Sequence, residues 1–164
     1  MVIPDSVTAI GRGAFRGCTG LTAVTIPEGV TKIEEGAFEG CTGLTFVTIP
    51  EGVTEIGSGA FRGCTGLAGV VIPEGVTVIG RSSFSGCTKL ESVLLPGTLK
   101  ELWWRAFENC TALRSVNIPP DVEQLSDGVF AGCASLESVT LSAKTRRDKT
   151  VFADCPNLKD IVKI

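Results

Sequence analysis

Seven cysteines are the residues best placed to do chemistry in this 164-residue chain, and their spacing decides which chemistry. Cys18, Cys41, Cys64, Cys87, Cys110 and Cys133 follow one another at intervals of 23, and Cys155 comes 22 later. A thiolate nucleophile needs a base within hydrogen-bond reach, and the chain has no histidine. A zinc site needs further ligands or a C-x-x-C pair, and neither is present. Seven is odd, and side chains pointing in parallel from one column make poor disulfide geometry. The cysteines therefore read as a buried structural ladder of small apolar thiols. The carboxylates form no evident inward pair of the kind that hydrolyses glycosides. The glycines recur with the 23-residue period and belong to turns, not to a phosphate-binding loop. The expectation is a protein that is not an enzyme, with no catalytic residue, no metal site and no cofactor.

Composition narrows the class further. Hydrophobic residues make up 43% of the chain, enough for a continuous core. A net charge of −3 is too near neutral for electrostatic capture of nucleic acid. No run of eighteen apolar residues exists, so membrane insertion is not expected. No leader precedes the first repeat at Ile3-Pro4, which is compatible with a cytosolic protein, a mature fragment or a piece of a longer array.

The elements that position these residues follow from the same period. Phenylalanine keeps the cysteine spacing at Phe15, Phe38, Phe61, Phe84, Phe107, Phe130 and Phe152. Leucine does so from Leu21 to Leu158, and proline from Pro4 to Pro119. Leu21-x-x-Val24-x-Ile26 has the L-x-x-L-x-L form of a leucine-rich repeat, and its alternation marks a short strand with one face inward. Pro27 ends that strand because it has no N–H to donate. Val7 and Ile10 suggest a second, weaker strand. Ile10, Ala14 and Cys18 share an i, i+4 face, which suggests one inward-packing helical turn. The residue before each cysteine is Gly, Asn or Asp throughout, the types that tolerate positive φ, so a left-handed residue is expected there. Gly20 makes no such demand, because its column also holds Lys89, Ala112 and Ser135.

One 23-residue unit cannot bury its own apolar side, whereas stacked units can. The expected fold is thus an α/β repeat: a right-handed leucine-rich-repeat solenoid of about seven turns. It has a concave parallel sheet, with short helical turns and a second short strand on the convex side. The chain 1–164 reads as one domain, with turns near 4–26, 27–49, 50–72, 73–95, 96–118, 119–141 and 142–164. The last turn loses a residue, and a looser arc is expected at Lys144–Thr150. Charges support the register. Arg16, Glu39 and Arg62 share a column, as do Arg12 with Glu35 and Lys32 with Glu55, so opposite charges meet across turns.

The pattern Ala37-Phe38-x-x-Cys41-x-x-Leu44-x-x-Val47-x-Ile49-Pro50-x-x-Val53-x-x-Ile56 resembles the BspA-like, or Treponema pallidum-type, leucine-rich repeats over essentially the whole chain. The resemblance implies a curved solenoid that binds proteins or host surfaces, often displayed on a cell surface. It carries over no catalytic residue and names no partner.

Two places stand out as partner-binding candidates. On the outward positions of the strand face, Phe46, Val71 and Leu94 form an apolar centre, with Thr48 and Asn117 among the other outward positions. Clustered apolar exposure marks contact sites, although β-branched residues also favour exposed strand positions for their own reasons. Trp103-Trp104 fills columns that elsewhere hold Gly, Glu, Ser or Arg, residues suited to an exposed turn. Two indoles there suit either a partner or stacking over Arg81 or Arg105. The leading expectation is a non-catalytic scaffold for a protein or glycan partner. The alternative is a structural spacer that self-associates end to end. Threonine columns such as Thr8, Thr31, Thr54 and Thr77 admit a remote third reading, ice binding, against their plainer use in turn hydrogen bonds.

Overall fold

The structure, a computed structural model, describes residues 1–164. Two kinds of strand alternate along the chain. The longer kind is β1 (Ala23–Thr25), β3 (Phe46–Thr48), β5 (Gly69–Val71), β7 (Ser92–Leu94), β9 (Ser115–Asn117), β11 (Ser138–Leu141) and β13 (Asp160–Lys163). The shorter kind is β2 (Lys32–Ile33), β4 (Glu55–Ile56), β6 (Val78–Ile79), β8 (Glu101–Leu102), β10 (Gln124–Leu125) and β12 (Arg146–Arg147). All pairings are parallel and join residues one repeat apart, such as Val24 with Val47 and Ile33 with Ile56. The short strands form one continuous six-stranded sheet, which is the expected second strand. The long strands are hydrogen-bonded as β1-β3, β5-β7 and β9-β11-β13, with β3 beside β5 and β7 beside β9.

The expected helical turns are absent, and the backbone shows why. Between Gly11 and Leu21 the amides of Ala14, Arg16 and Cys18 close tight turns onto Gly11, Gly13 and Phe15. The intervening amides of Gly13, Phe15 and Gly17 donate instead to Glu35, Ala37 and Glu39 of the next turn. A helix needs every interior N–H for itself; here each second one bonds across the stack. Left-handed residues also interrupt the segment. The expected column is left-handed at all seven places, from Gly17 (φ 68) through Asn109 (φ 58) to Asp154 (φ 54). A second left-handed column, unforeseen, runs through Gly13, Gly36, Gly59, Ser82, Arg105 and Gly128.

The count of seven turns is also revised, to about six. The first arc has only the bridge Ile10–Ile33 where later turns have a short strand, and its Ala14 and Cys18 are exposed. The last arc ends in β13, whose four residues are all exposed. Its loop at Lys144–Thr150 is tied down rather than loose. β12 pairs in register with Gln124 and Leu125, and Thr145, standing where other turns have Val or Leu, donates its hydroxyl to the Val122 carbonyl at 2.9 Å.

Inside the stack every apolar column is a ladder, and 44 buried residues form one cluster. Phenylalanine rings lie face over face with centroids between 5.1 and 5.9 Å apart. Fully burying one such side chain is worth about 1.5–3 kcal/mol. Prolines follow the long strands from β1 to β9, with Ser142 in that place after β11, and the proline carbonyls accept a turn hydrogen bond three residues on, as from Val30 to Pro27 at 3.0 Å.

Candidate functional site

Cysteine is a core residue here. Cys41, Cys64, Cys87, Cys110 and Cys133 are buried, while Cys155 is half-buried and Cys18 exposed at the first turn. All are free thiols. Each thiol from Cys41 onward donates to a phenylalanine carbonyl of the preceding turn: Cys64 to Phe38, Cys87 to Phe61 and Cys110 to Phe84, all at 3.2 Å. Spacing alone cannot reveal this bond, because the acceptor lies 26 residues back, one repeat plus a tight turn. Burial pushes the thiols upward, to about 12 at Cys87 and Cys133, and also raises Cys41, Cys64, Cys110 and Cys155. A raised thiol is a poor nucleophile and a poor metal ligand.

The predicted charge ladders form on the surface. Arg12 meets Glu35 at 2.7 Å, Arg16 meets Glu39 through Nε at 2.9 Å, and Lys32 meets Glu55 at 3.2 Å. These pairs are exposed or half-exposed, so each adds little to stability. Four threonine hydroxyls in the threonine columns are also occupied. Thr45 donates to Thr22, Thr54 to Thr31, Thr77 to Thr54 and Thr111 to Thr88, in every case to the carbonyl one repeat earlier.

The strand face carries the first surface. Val24, Val47, Val70 and Val116 point inward, so their neighbours point out. Phe46 is 58% exposed, and Val71 and Leu94 are each 62% exposed. Val71 and Leu94 are register partners, with Thr48 and Asn117 exposed in the same row. Phe46 occupies the neighbouring row, where the next residue, Gly69, has no side chain to cover it. A groove of ≈ 600 Å³ runs between Phe46, Val71, Leu94 and Thr48, with Glu51 and Ser92 as its polar margin.

Trp103 and Trp104 are brought together elsewhere, on the turn that follows β8. Each is 40% exposed. Their rings stack at 5.6 Å with 28° between planes, and Trp103 Nε1 donates to Glu101 Oε2 at 2.9 Å. The Arg81 guanidinium lies 5.5 Å from the Trp104 centroid, the stacking anticipated for that arginine. The Trp103 column is less open than its residue types suggested. Gly57 and Gly80 are buried, and a Cβ on Gly80 would lie 2.7 Å from the Ser58 backbone nitrogen. Turns three and four press together there, and a tryptophan at that position requires a wider path.

Neither surface contains a cluster of groups arranged to hold a metal ion. No helix is long and apolar enough to cross a membrane.

Similarity to known proteins agrees with this geometry. The model of the BspA type leucine rich repeat region matches in six copies, over residues 1–103 and 86–163. The chain is similar to a leucine rich repeat protein of T. pallidum, at 36% identity and TM-score 0.91 over 97% of this chain and 77% of that one. A leucine-rich repeat protein from Bacteroides ovatus is similar at 29% identity and TM-score 0.72, over 98% of this chain. A leucine rich cell surface protein from Faecalibacterium prausnitzii is similar at 27% identity and TM-score 0.57, over 99% of this chain. The chain spans 54% and 59% of the length of those two. The comparison with curated proteins finds no match. Repeat, register and kinship agree: the chain belongs to the BspA-type leucine-rich-repeat family.

Proposed function

We propose that this chain is a non-catalytic recognition scaffold that holds a protein partner on its long-strand face and has a second contact surface at Trp103–Trp104. The observation that carries this reading is the exposure of Phe46, Val71 and Leu94 around one groove, in a protein whose other phenylalanines are buried or half-buried. Apolar groups left open on a rigid sheet need no rearrangement to bind, so little is lost to ordering on association. Leucine-rich-repeat proteins are in general protein-interaction scaffolds, which favours a protein over a small metabolite. The likeness to a cell surface protein supports display at a surface.

The test is a pull-down with immobilised protein, followed by affinity measurement on the captured partner. The Phe46→Ala/Leu94→Ala variant should bind about tenfold or more weakly, since buried aromatic anchors contribute on that scale. Unchanged affinity would exclude the groove. A second reading is end-to-end stacking of copies, favoured by the unpaired edge of β13 and the exposed Val162 and Ile164. Sedimentation that depends on concentration supports stacking; a constant monomer removes it.

A further inference from the structure

The repeat is broken twice in one neighbourhood. Trp103 and Trp104 interrupt two columns, and beside them Ser82 and Arg105 interrupt the second left-handed column, at φ 52 and 60. Asn109 and Asp154 are residue types that accept this conformation readily; serine and arginine are not. Backbone strain of this kind gathers at binding sites, and here it falls on the two turns whose side chains, Arg81 and the indoles, make the corner.

The indoles are held in place and still open. Glu101 anchors the Trp103 nitrogen, Arg81 covers part of Trp104, and 40% of each residue remains accessible. Two grooves flank them, of ≈ 490 and ≈ 500 Å³, and share Trp104 and Ser126. The first sets Lys100 and Arg146 against Glu101, Asp121 and Glu123. The second sets Arg81 and Arg105 against Asp127 and Asp148. The charges nearly cancel, so no net field draws in a polyanion. Apolar lining beyond the indoles is scant, unlike the groove at Phe46. What remains is an aromatic platform rimmed by planar groups that donate or accept hydrogen bonds in pairs. An uncharged pyranose is complementary to it. One of its faces is C–H and lies on an indole, and its margin is hydroxyl, able to donate to carboxylates and accept from guanidinium groups.

We propose that the Trp103–Trp104 corner is a subsite for an uncharged oligosaccharide, one sugar ring packed on the exposed surface of the indole pair and its hydroxyls bound by the flanking carboxylates and guanidiniums. This rests on reading the corner as a contact surface and is independent of the strand-face groove. The chain has two tryptophans, both at this corner, so intrinsic fluorescence reports on the subsite alone. The experiment titrates the protein with neutral hexasaccharides of glucose, galactose, mannose and N-acetylglucosamine, with a heparin fragment as the charged arm. At least one neutral sugar should change the emission saturably, with an affinity insensitive to salt. By calorimetry, Trp103→Ala and Trp104→Ala should bind it about tenfold more weakly at unchanged Tm, with partial recovery in Trp103→Phe. Phe46→Ala/Leu94→Ala should bind it as the wild type does. Silence with every neutral sugar up to about 10 mM would overturn the proposal. So would binding of heparin alone, abolished by salt, or a folded Trp103→Ala variant of wild-type affinity. Loss of a protein partner on Phe46→Ala/Leu94→Ala with no sugar response would sink this inference and leave the strand-face reading intact.

Discussion

A thiol that donates to a carbonyl in a dry interior is the residue-scale signature of this protein. Five such thiols keep their protons in the folded state at pH values where the unfolded chain has lost them. The unfolded state then binds fewer protons, so stability falls as pH rises. The fall begins near the ordinary thiol value of about 8.5 and continues to about 12, where Cys87 and Cys133 titrate folded. Within that window Cys87 and Cys133 each contribute a slope of about 1.4 kcal/mol per pH unit. Tm should be flat below about pH 8 and drop steeply above about pH 9, less steeply in Cys87→Ala. A Tm that stays level to about pH 10.5 would show that the ladder is open to solvent. Burial of the cysteines was legible from their 23-residue spacing and the absence of histidine. The carbonyl partner was not, since it depends on how adjacent turns nest.

At the scale of the element, the segment between the two strands is where sequence and structure part. Ile10, Ala14 and Cys18 carry a helical spacing, yet left-handed residues at Gly13 and Gly17 interrupt the backbone, which sends every second amide across the stack. Spacing reports which side chains face inward; it does not report where the amides donate. The left-handed column before the cysteines was legible because only Gly, Asn and Asp occupy it. The second column is masked in the sequence because Ser82 and Arg105 interrupt its glycines. Ser82 gives a direct test. Glycine at that position adopts φ 52 without a Cβ clash, a relief of about 1 kcal/mol reduced by the greater freedom glycine has when unfolded. Ser82→Gly should raise Tm by a few degrees. A lowered Tm would mean that the serine hydroxyl contributes more than its backbone costs.

For the whole molecule, long-range contacts run between consecutive turns, so stability is close to a sum of neighbouring interfaces. Central turns have two interfaces and terminal ones a single interface. Phe84 is fully buried, Phe15 and Phe152 only partly, and β13 is exposed throughout. Amide hydrogen exchange should therefore be fastest near Asp160–Ile164, slower at the first turn, and slowest around Phe84 and Phe107. Uniform protection from end to end would refute this additive picture. The solenoid itself was legible in the repeat, because each ladder needs the same residue at the same interval. The two exposed surfaces were visible as departures from that pattern, at Phe46 and at Trp103. The identical joint from Cys64 to Phe38 and from Cys110 to Phe84 has an evolutionary corollary. Excising or duplicating one complete unit recreates the same seam, so the chain can be shortened or lengthened by whole modules. Leu94 and Arg81 share the turn 73–95, so duplicating that one turn would move the aromatic groove and the indole corner one step apart while each kept its neighbours, making repeat number a ruler that selection can adjust.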